Sequence, residues 1–234
     1  MLDGPPQPHC APMRAVLTAL FLLTATLVPC AARAGAWPRD AGSGFFSVAT
    51  RLSWPQEIAQ WTSIEPTEDY HTLYIEYGMT DRLTLGLDVG RSVSGGGKSV
   101  AFVQFPLLDR DTGPKVSAQL GFGTIAGENI LRPGLSVGWG MPNGWLAFDG
   151  VAEMHRSGDT DVKLDVTWGR NLPKGRKLIV QLQTGLQEND PAFARLAPSL
   201  VFPMRKKMNA ELGATYGLKG DDSMGLKFGL WLDF

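Results

Sequence analysis

The chain is poor in the residues from which small active centres are usually built. Of 234 residues, two are cysteine and three are histidine. Cys10 and Cys30 both lie near the start, so the chain after residue 34 can form no disulfide and no thiolate metal site. His71 and His155 are the histidines left in that part, too few for a His-rich centre, and no metal or cofactor is expected. An excess of positive charge is missing too. Lys and Arg number 22 against 23 Asp and Glu, which excludes nucleic acid as a natural partner. The longest apolar run, "AVLTALFLLTATLVP" at 15–29, falls short of the ~18–20 residues that a spanning helix needs. From Gly44 onward, no stretch holds apolar residues at helical i, i+3, i+4 spacing beyond one turn.

The run at 15–29 has the length of a signal-peptide core. It follows Arg14 and leads to "AARA", where Ala32 and Ala34 occupy the small positions of an A-x-A site. The expected organisation is a signal peptide over 1–34 cleaved before Gly35, a short N-terminal segment over 35–43, and one β-domain over 44–234. "MLDGPPQPHCAP" is an odd leader, and Met13 is the more natural start. A lipoprotein reading would lipidate Cys30, but Pro29 is a poor residue just before such a cysteine. Removing Arg14, Arg33 and Asp3 leaves 20 basic against 22 acidic residues, close to neutral.

What is abundant is period-two alternation broken by turn signals, the pattern of β-strands. Twelve strands are expected, at about 44–54, 70–78, 82–91, 98–107, 115–125, 131–140, 145–155, 161–170, 176–187, 194–203, 208–218 and 224–234, with ten as the alternative count. In "RLTLGLDVGR", Leu83, Leu85, Leu87 and Val89 share one face, and Thr84, Gly86, Asp88 and Gly90 share the other. Such strands exceed the 5–6 residues typical of soluble sheets and match the ~9–11 that cross a bilayer at a tilt. The expected fold is all-β, a transmembrane antiparallel up-and-down barrel with short periplasmic turns and both termini periplasmic. The turns "GMTDR", "LDRDTGPK", "MPNG", "NLPKG" and "MRKK" would be periplasmic, and the longest connection, 55–69, would lie on the opposite side.

Every second strand ends on an aromatic in phase with its apolar face: Tyr77, Phe105, Trp139, Trp168, Phe202 and Phe234. Aromatics make up 9% of the chain, so chance would seldom fill all six positions. Rings favour the boundary between hydrocarbon and head groups, and these six form the expected periplasmic girdle.

With these features the chain resembles bacterial outer-membrane β-barrels over nearly all of its length after residue 34. In that class a C-terminal strand ending on Phe, here "GLKFGLWLDF" and Phe234, is the signal read by the barrel-insertion machinery. The resemblance therefore implies a Gram-negative outer-membrane location, with membrane lipids and that machinery as partners. "GAWPRDAGSGFFSVATRLSW" and "LYIEYGMTDRLTLGLDVGR" resemble small porin-like transporters, some linked by name to phenol degradation.

If the apolar parity faces lipid, the other parity lines the lumen. That places Arg51, Glu76, Asp88, Arg132, Asp149, Glu153, Lys163, Asp165, Gln181, Gln183, Glu211, Lys227 and Asp233 inside. Both signs occur, so neither anions nor cations are favoured. Glycines on this face, Gly86, Gly121, Gly134 and Gly138 among them, leave room for a bore. Val100, Phe102, Val151, Ile179 and Val201 share the inward parity, either as a greasy path or, as the better reading, through bulges that shift the phase. Twelve strands enclose less than the 16–18 of wide porins, so a narrow pore is expected, or one filled by side chains or by the first outer loop.

The expected function is a channel for passive or facilitated passage of small solutes. The alternatives are a closed structural barrel and a lipid hydrolase using His155 and Ser157, two apart as one strand face requires. "HRSGD" lacks the Asn that follows Ser in phospholipase-type barrels, and the parity points both residues away from lipid. No enzyme is expected, and no catalytic residue is assigned. Glu68, Asp69 and His71, at the outer rim, are too generic a grouping to support a protease.

Overall fold

A computed structural model describes residues 35–92, 96–110, 112–188 and 190–234. The signal sequence, the start at Met13 and Cys30 lie outside the described residues.

Alternation along the chain becomes twelve strands: β1 (Gly44–Pro55), β2 (Glu68–Thr80), β3 (Leu83–Ser92), β4 (Gly97–Leu108), β5 (Pro114–Ile125), β6 (Glu128–Met141), β7 (Gly144–His155), β8 (Thr160–Asn171), β9 (Lys177–Gln187), β10 (Asp190–Arg205), β11 (Met208–Lys219) and β12 (Ser223–Asp233). Each pairs antiparallel with its sequence neighbours. β1 pairs with β12 from Phe45↔Asp233 to Pro55↔Ser223, and the sheet closes into a barrel. Closure leaves no edge strand unpaired, which answers the aggregation hazard of so large a sheet.

Two short 3-10 turns, Ile58–Gln60 and Pro173–Gly175, are the helical elements among the described residues. Proline shapes the ladder where it interrupts it. Pro198 pairs with Val180 on the β9 side, while the β10–β11 ladder passes from Leu196↔Tyr216 to Ser199↔Gly213 without it, since proline has no N–H to donate.

One boundary differs from expectation. β10 starts at Asp190 rather than near residue 194, because Asp190↔Gln187 pairing carries the β9–β10 hairpin beyond the apolar alternation. There the backbone pairs without a hydrophobic pattern to announce it.

Closure gives every strand an inner and an outer face. Outward residues such as Leu85, Phe122, Leu135, Leu164, Leu212 and Phe228 are exposed apolar side chains. Inward positions are polar and well buried, including Thr84, Gln104, Ser117, Arg132, Glu153, Thr167, Ser199 and Glu211. This inverts the usual globular arrangement and suits an apolar surrounding.

The barrel has two distinct mouths. At the turn mouth lie the connections after β2, β4, β6, β8 and β10, with the segment 35–43 and Phe234. At the loop mouth lies the long β1–β2 connection. The other loop-mouth connections are as short as Ala126 and Gly127, both at positive φ, so asymmetry of loop length rests on β1–β2 alone.

Candidate functional site: the lumen

Parity lines the bore with charge, and the register decides which charges meet. Asp88 on β3 accepts from Lys98 Nζ and from Arg132 Nη1, both at 2.8 Å. Arg132 Nη1 is also 3.9 Å from Glu153, and Glu153 takes Lys163 Nζ at 2.5 Å. The result is a ladder, Lys98–Asp88–Arg132–Glu153–Lys163, spanning β3, β4, β6, β7 and β8. The Arg132 and Glu153 side chains are 5% and 1% exposed, so the ladder is part of the barrel's interior and not a set of free surface charges. On the far wall, Glu211 accepts from Lys227 at 2.9 Å and from Trp231 Nε1 at 3.0 Å. Gln181 Nε2 donates to Thr167 Oγ1, and Gln183 Nε2 to Gln181 Oε1. Arg51 stacks over Tyr70 at 5.6 Å.

Thus the eleven charged lumen positions named from parity all point inward; eight are in ion pairs or stacking contacts, and Asp233 pairs with Phe45 across the β1–β12 seam. Asp149 and Asp165 differ. They face one another across β7 and β8 and make no ion pair among the described residues.

The turn mouth is closed by the N-terminal segment, not by the first outer loop. Ala36 is fully buried, and Arg39 Nε donates to Glu76 Oε2 at 2.7 Å. The Arg39 amide reaches Thr84 Oγ1, and its guanidinium lies 4.9 Å from the Phe45 ring centroid. Gly35 O accepts from Gln104 Nε2 and Ser117 Oγ, both at 2.6 Å. The β1–β2 loop bonds instead to its own rim: Trp54 Nε1 to Ile64 O, Trp61 Nε1 to Pro55 O, and Thr67 N to Ser53 O. Trp54 and Trp61 stack at 6.1 Å.

Two expectations about the bore change. The inward glycines do not mark open space, because neighbouring groups occupy the room they leave. A Cβ on Gly138 would lie 2.4 Å from the Trp37 ring, and one on Gly86 would lie 2.0 Å from Phe102. The inward apolar residues are not phase errors either. Val100 and Phe102 pair with Asp88 and Gly86, and Val201 pairs with Glu211, so all three hold the inward phase. Val100 and Val201 are fully buried, and Phe102 stacks on Tyr74 at 5.8 Å. They fill the bore.

Sequence reasoning missed Arg39, Lys98, Phe45, Trp145 and Trp231 as lumen groups. Lys98 shares the parity of Val100, and Trp231 that of Asp233, so phase could have found both. Arg39 precedes the first strand, where no periodicity exists to place it.

The six strand-end aromatics lie outward at the turn mouth, with Tyr77, Phe105, Trp139, Trp168 and Phe234 exposed and Phe202 half-buried. Phe234 and Gly44 exchange two backbone hydrogen bonds of 2.9 Å, which seals the last residue to the first strand.

His155 and Ser157 do not share a strand face. β7 ends at His155, and Ser157 lies in the following turn. Both instead address Glu128, His155 Nδ1 at 3.3 Å and Ser157 Oγ at 3.3 Å, and His155 Nε2 also lies 3.6 Å from Asp161. No hydrogen bond joins the two. At the loop rim, His71 Nδ1 lies 2.9 Å from Thr50 Oγ1, and its Nε2 is 3.5 Å from Asp69.

No family model and no curated relative matches the sequence. Solved structures do. The chain is similar to the NanC porin, with 11% identity, TM-score 0.62, and 80% of this chain and 98% of that chain covered. It is similar to the KdgM porin in complex with disordered oligogalacturonate, with 10% identity, TM-score 0.60, and coverage of 80% and 99%. It is also similar to an outer-membrane channel from Pseudomonas putida F1, with 11% identity, TM-score 0.60, and coverage of 86% and 99%. At these identities the likeness is one of fold: this is the closed antiparallel barrel of the outer-membrane porins.

Proposed function

We propose that this chain is a channel of the Gram-negative outer membrane, exported by a signal peptide cleaved before Gly35 and passing small polar or mixed-charge solutes. The observation that carries the reading is the inverted barrel: an apolar outward face around a lumen lined by both signs of charge. A purely structural barrel has no need of the Lys98–Asp88–Arg132–Glu153–Lys163 ladder, since buried ion pairs add little stability over apolar packing. The porin fold supports the same reading.

On this reading the turn mouth faces the periplasm, both termini lie there, and the strand-end aromatics form the girdle. The outward face contacts membrane lipid, and Phe234 serves the insertion machinery. Because cations and carboxylates alternate along the ladder, the pore discriminates weakly by sign. The chain acts without catalysis, and no contact favours a lipid hydrolase over a channel.

Solute flux tests this. Liposomes holding refolded protein with residues 36–41 deleted, which frees the turn mouth, should admit small sugars and amino acids. Liposomes that exclude every solute while the protein still shows heat-modifiable migration on a denaturing gel would contradict the channel.

A further inference from the structure

Gly35 is the first described residue of the segment at the turn mouth. Its carbonyl is held by two wall donors, Gln104 Nε2 and Ser117 Oγ, which anchors residue 35 to β4 and β5. A Cβ built on Gly35 would lie 2.7 Å from Asp149 Oδ1 and 2.8 Å from Ser136 Oγ. The Cα of residue 35 therefore lies no more than about 4.2 Å from that oxygen, and the nitrogen bonded to it no more than about 5 Å, within reach of the carboxylate once the bond to residue 34 is cut.

Asp149 lacks a counter-charge. Its Oδ1 is buried with no hydrogen-bond partner among the described residues, and the hydrogen bond that the carboxyl receives from Ser136 brings no charge. Its cross-strand neighbour, Asp165, has the same sign, and like charges opposite one another in a sheet repel. The surrounding cations are engaged: Arg39 with Glu76, Lys98 and Arg132 with Asp88, and Lys163 with Glu153. A buried carboxylate in this position calls for a cation.

We propose that the missing cation is the α-ammonium of Gly35 itself, created when the leader is removed, and that Asp149 is its receptor in the lumen. The inference rests on the cleavage site given above. Hydrolysis of the Ala34–Gly35 peptide bond by water, under a signal peptidase, leaves a carboxylate on Ala34 and an amine on Gly35. That amine takes up a proton at neutral pH. Before cleavage the same nitrogen is an uncharged amide, so the precursor cannot make the pair. Processing thus gives the segment at the turn mouth an anchor that the precursor lacks. A side chain at residue 35 would meet Asp149 and Ser136, which accounts for glycine at this position.

The test uses the processed protein purified from outer membranes. Intact mass fixes the first residue; a mass that does not begin at Gly35 overturns the cleavage site and this proposal with it. With Gly35 confirmed, α-amine-selective labelling at pH 7 is compared between wild type and Asp149→Asn. Labelling follows the unprotonated fraction, so a one-unit rise in the amine's pKa from the ion pair slows it about tenfold. Wild type is expected to label about tenfold or more slowly than the variant. Equal rates would overturn the receptor role while leaving the cleavage site intact. Should Asp149→Asn fail to assemble, direct titration of the wild-type α-amine decides. It should titrate above the ordinary α-amino range of about 7.7–8.0, and a value within or below that range overturns the proposal.

Discussion

The turn mouth and the middle of the bore are both narrowed, but by different means. At the mouth, a chain segment from outside the sheet is inserted, and its anchors include Gly35 O on Gln104 and Ser117, Arg39 on Glu76 and Thr84, and Ala41 N on Asp81 Oδ1 at 2.9 Å. In the middle, narrowing is by side chains of the wall itself, with the ladder from Lys98 to Lys163 bridging five strands and Tyr74, Phe102 and Val100 packed beside it. A segment can leave while the barrel stays intact. The ladder cannot, because each of its members belongs to a strand. The mouth is therefore the removable seal, and the middle is the fixed filter.

Changes in the frame should cut deepest, since both closures depend on it. Phe234→Asp places a charge on the girdle face at the seam where Phe234 and Gly44 exchange backbone bonds. Assembly in the membrane should fall several-fold, read as the heat-modifiable fraction, while molecules that do assemble conduct as wild type does. Normal assembly would remove Phe234 from its role. Next comes the filter. Arg132→Ala leaves Glu153, 1% exposed, with Lys163 alone, and breaking such a buried pair costs about 3–5 kcal/mol. The denaturant midpoint should drop accordingly, and ion preference should move toward cations. An unchanged midpoint would mean that the ladder is more hydrated than its burial shows.

At the mouth the expected cost is smaller. Glu76→Gln removes the charge from the Arg39 pair without touching the ladder, so open events should become more frequent with little loss of stability. If stability instead fell as far as in Arg132→Ala, the distinction between seal and filter would fail.

The smallest effect belongs to the loop rim. Asp221 lies in the β11–β12 turn, outside the spanning strands. Burial alone would raise its carboxyl pKa, but hydrogen bonds from Ser223 and Arg195, and the Arg195 charge, outweigh that and hold it below the ordinary value. A carboxyl lowered in the folded state stabilises above its unfolded pKa of about 3.9 and loses that contribution as pH falls through the folded value. The protection factors of the 220–222 amides, that is, exchange referred to the intrinsic rate at each pH, should therefore fall as the solution is acidified below about pH 4, with Asp221→Asn abolishing the dependence.

The frame was legible because strands that cross a barrel wall repeat every second residue, and a bilayer sets their length. Leu83 to Gly90 announces its own two faces, and the twelfth strand announces its end. Lumen charges followed from the same phase. The seal was not legible. "GAWPRDAGS" has no period, and the partner of Arg39 is Glu76, 37 positions away in sequence. Glycine misled for a related reason. A glycine on the inner face shows that something approaches closely there, and only the fold reveals that at Gly138 the visitor is Trp37.

The most direct test of the seal is single-channel recording from wild type and from the 36–41 deletion in the same bilayer. The deletion should conduct steadily, several-fold above wild type, which should be closed for most of the recording. Equal conductance in the two, with both barrels folded, would contradict the seal and place the controlling constriction in the ladder.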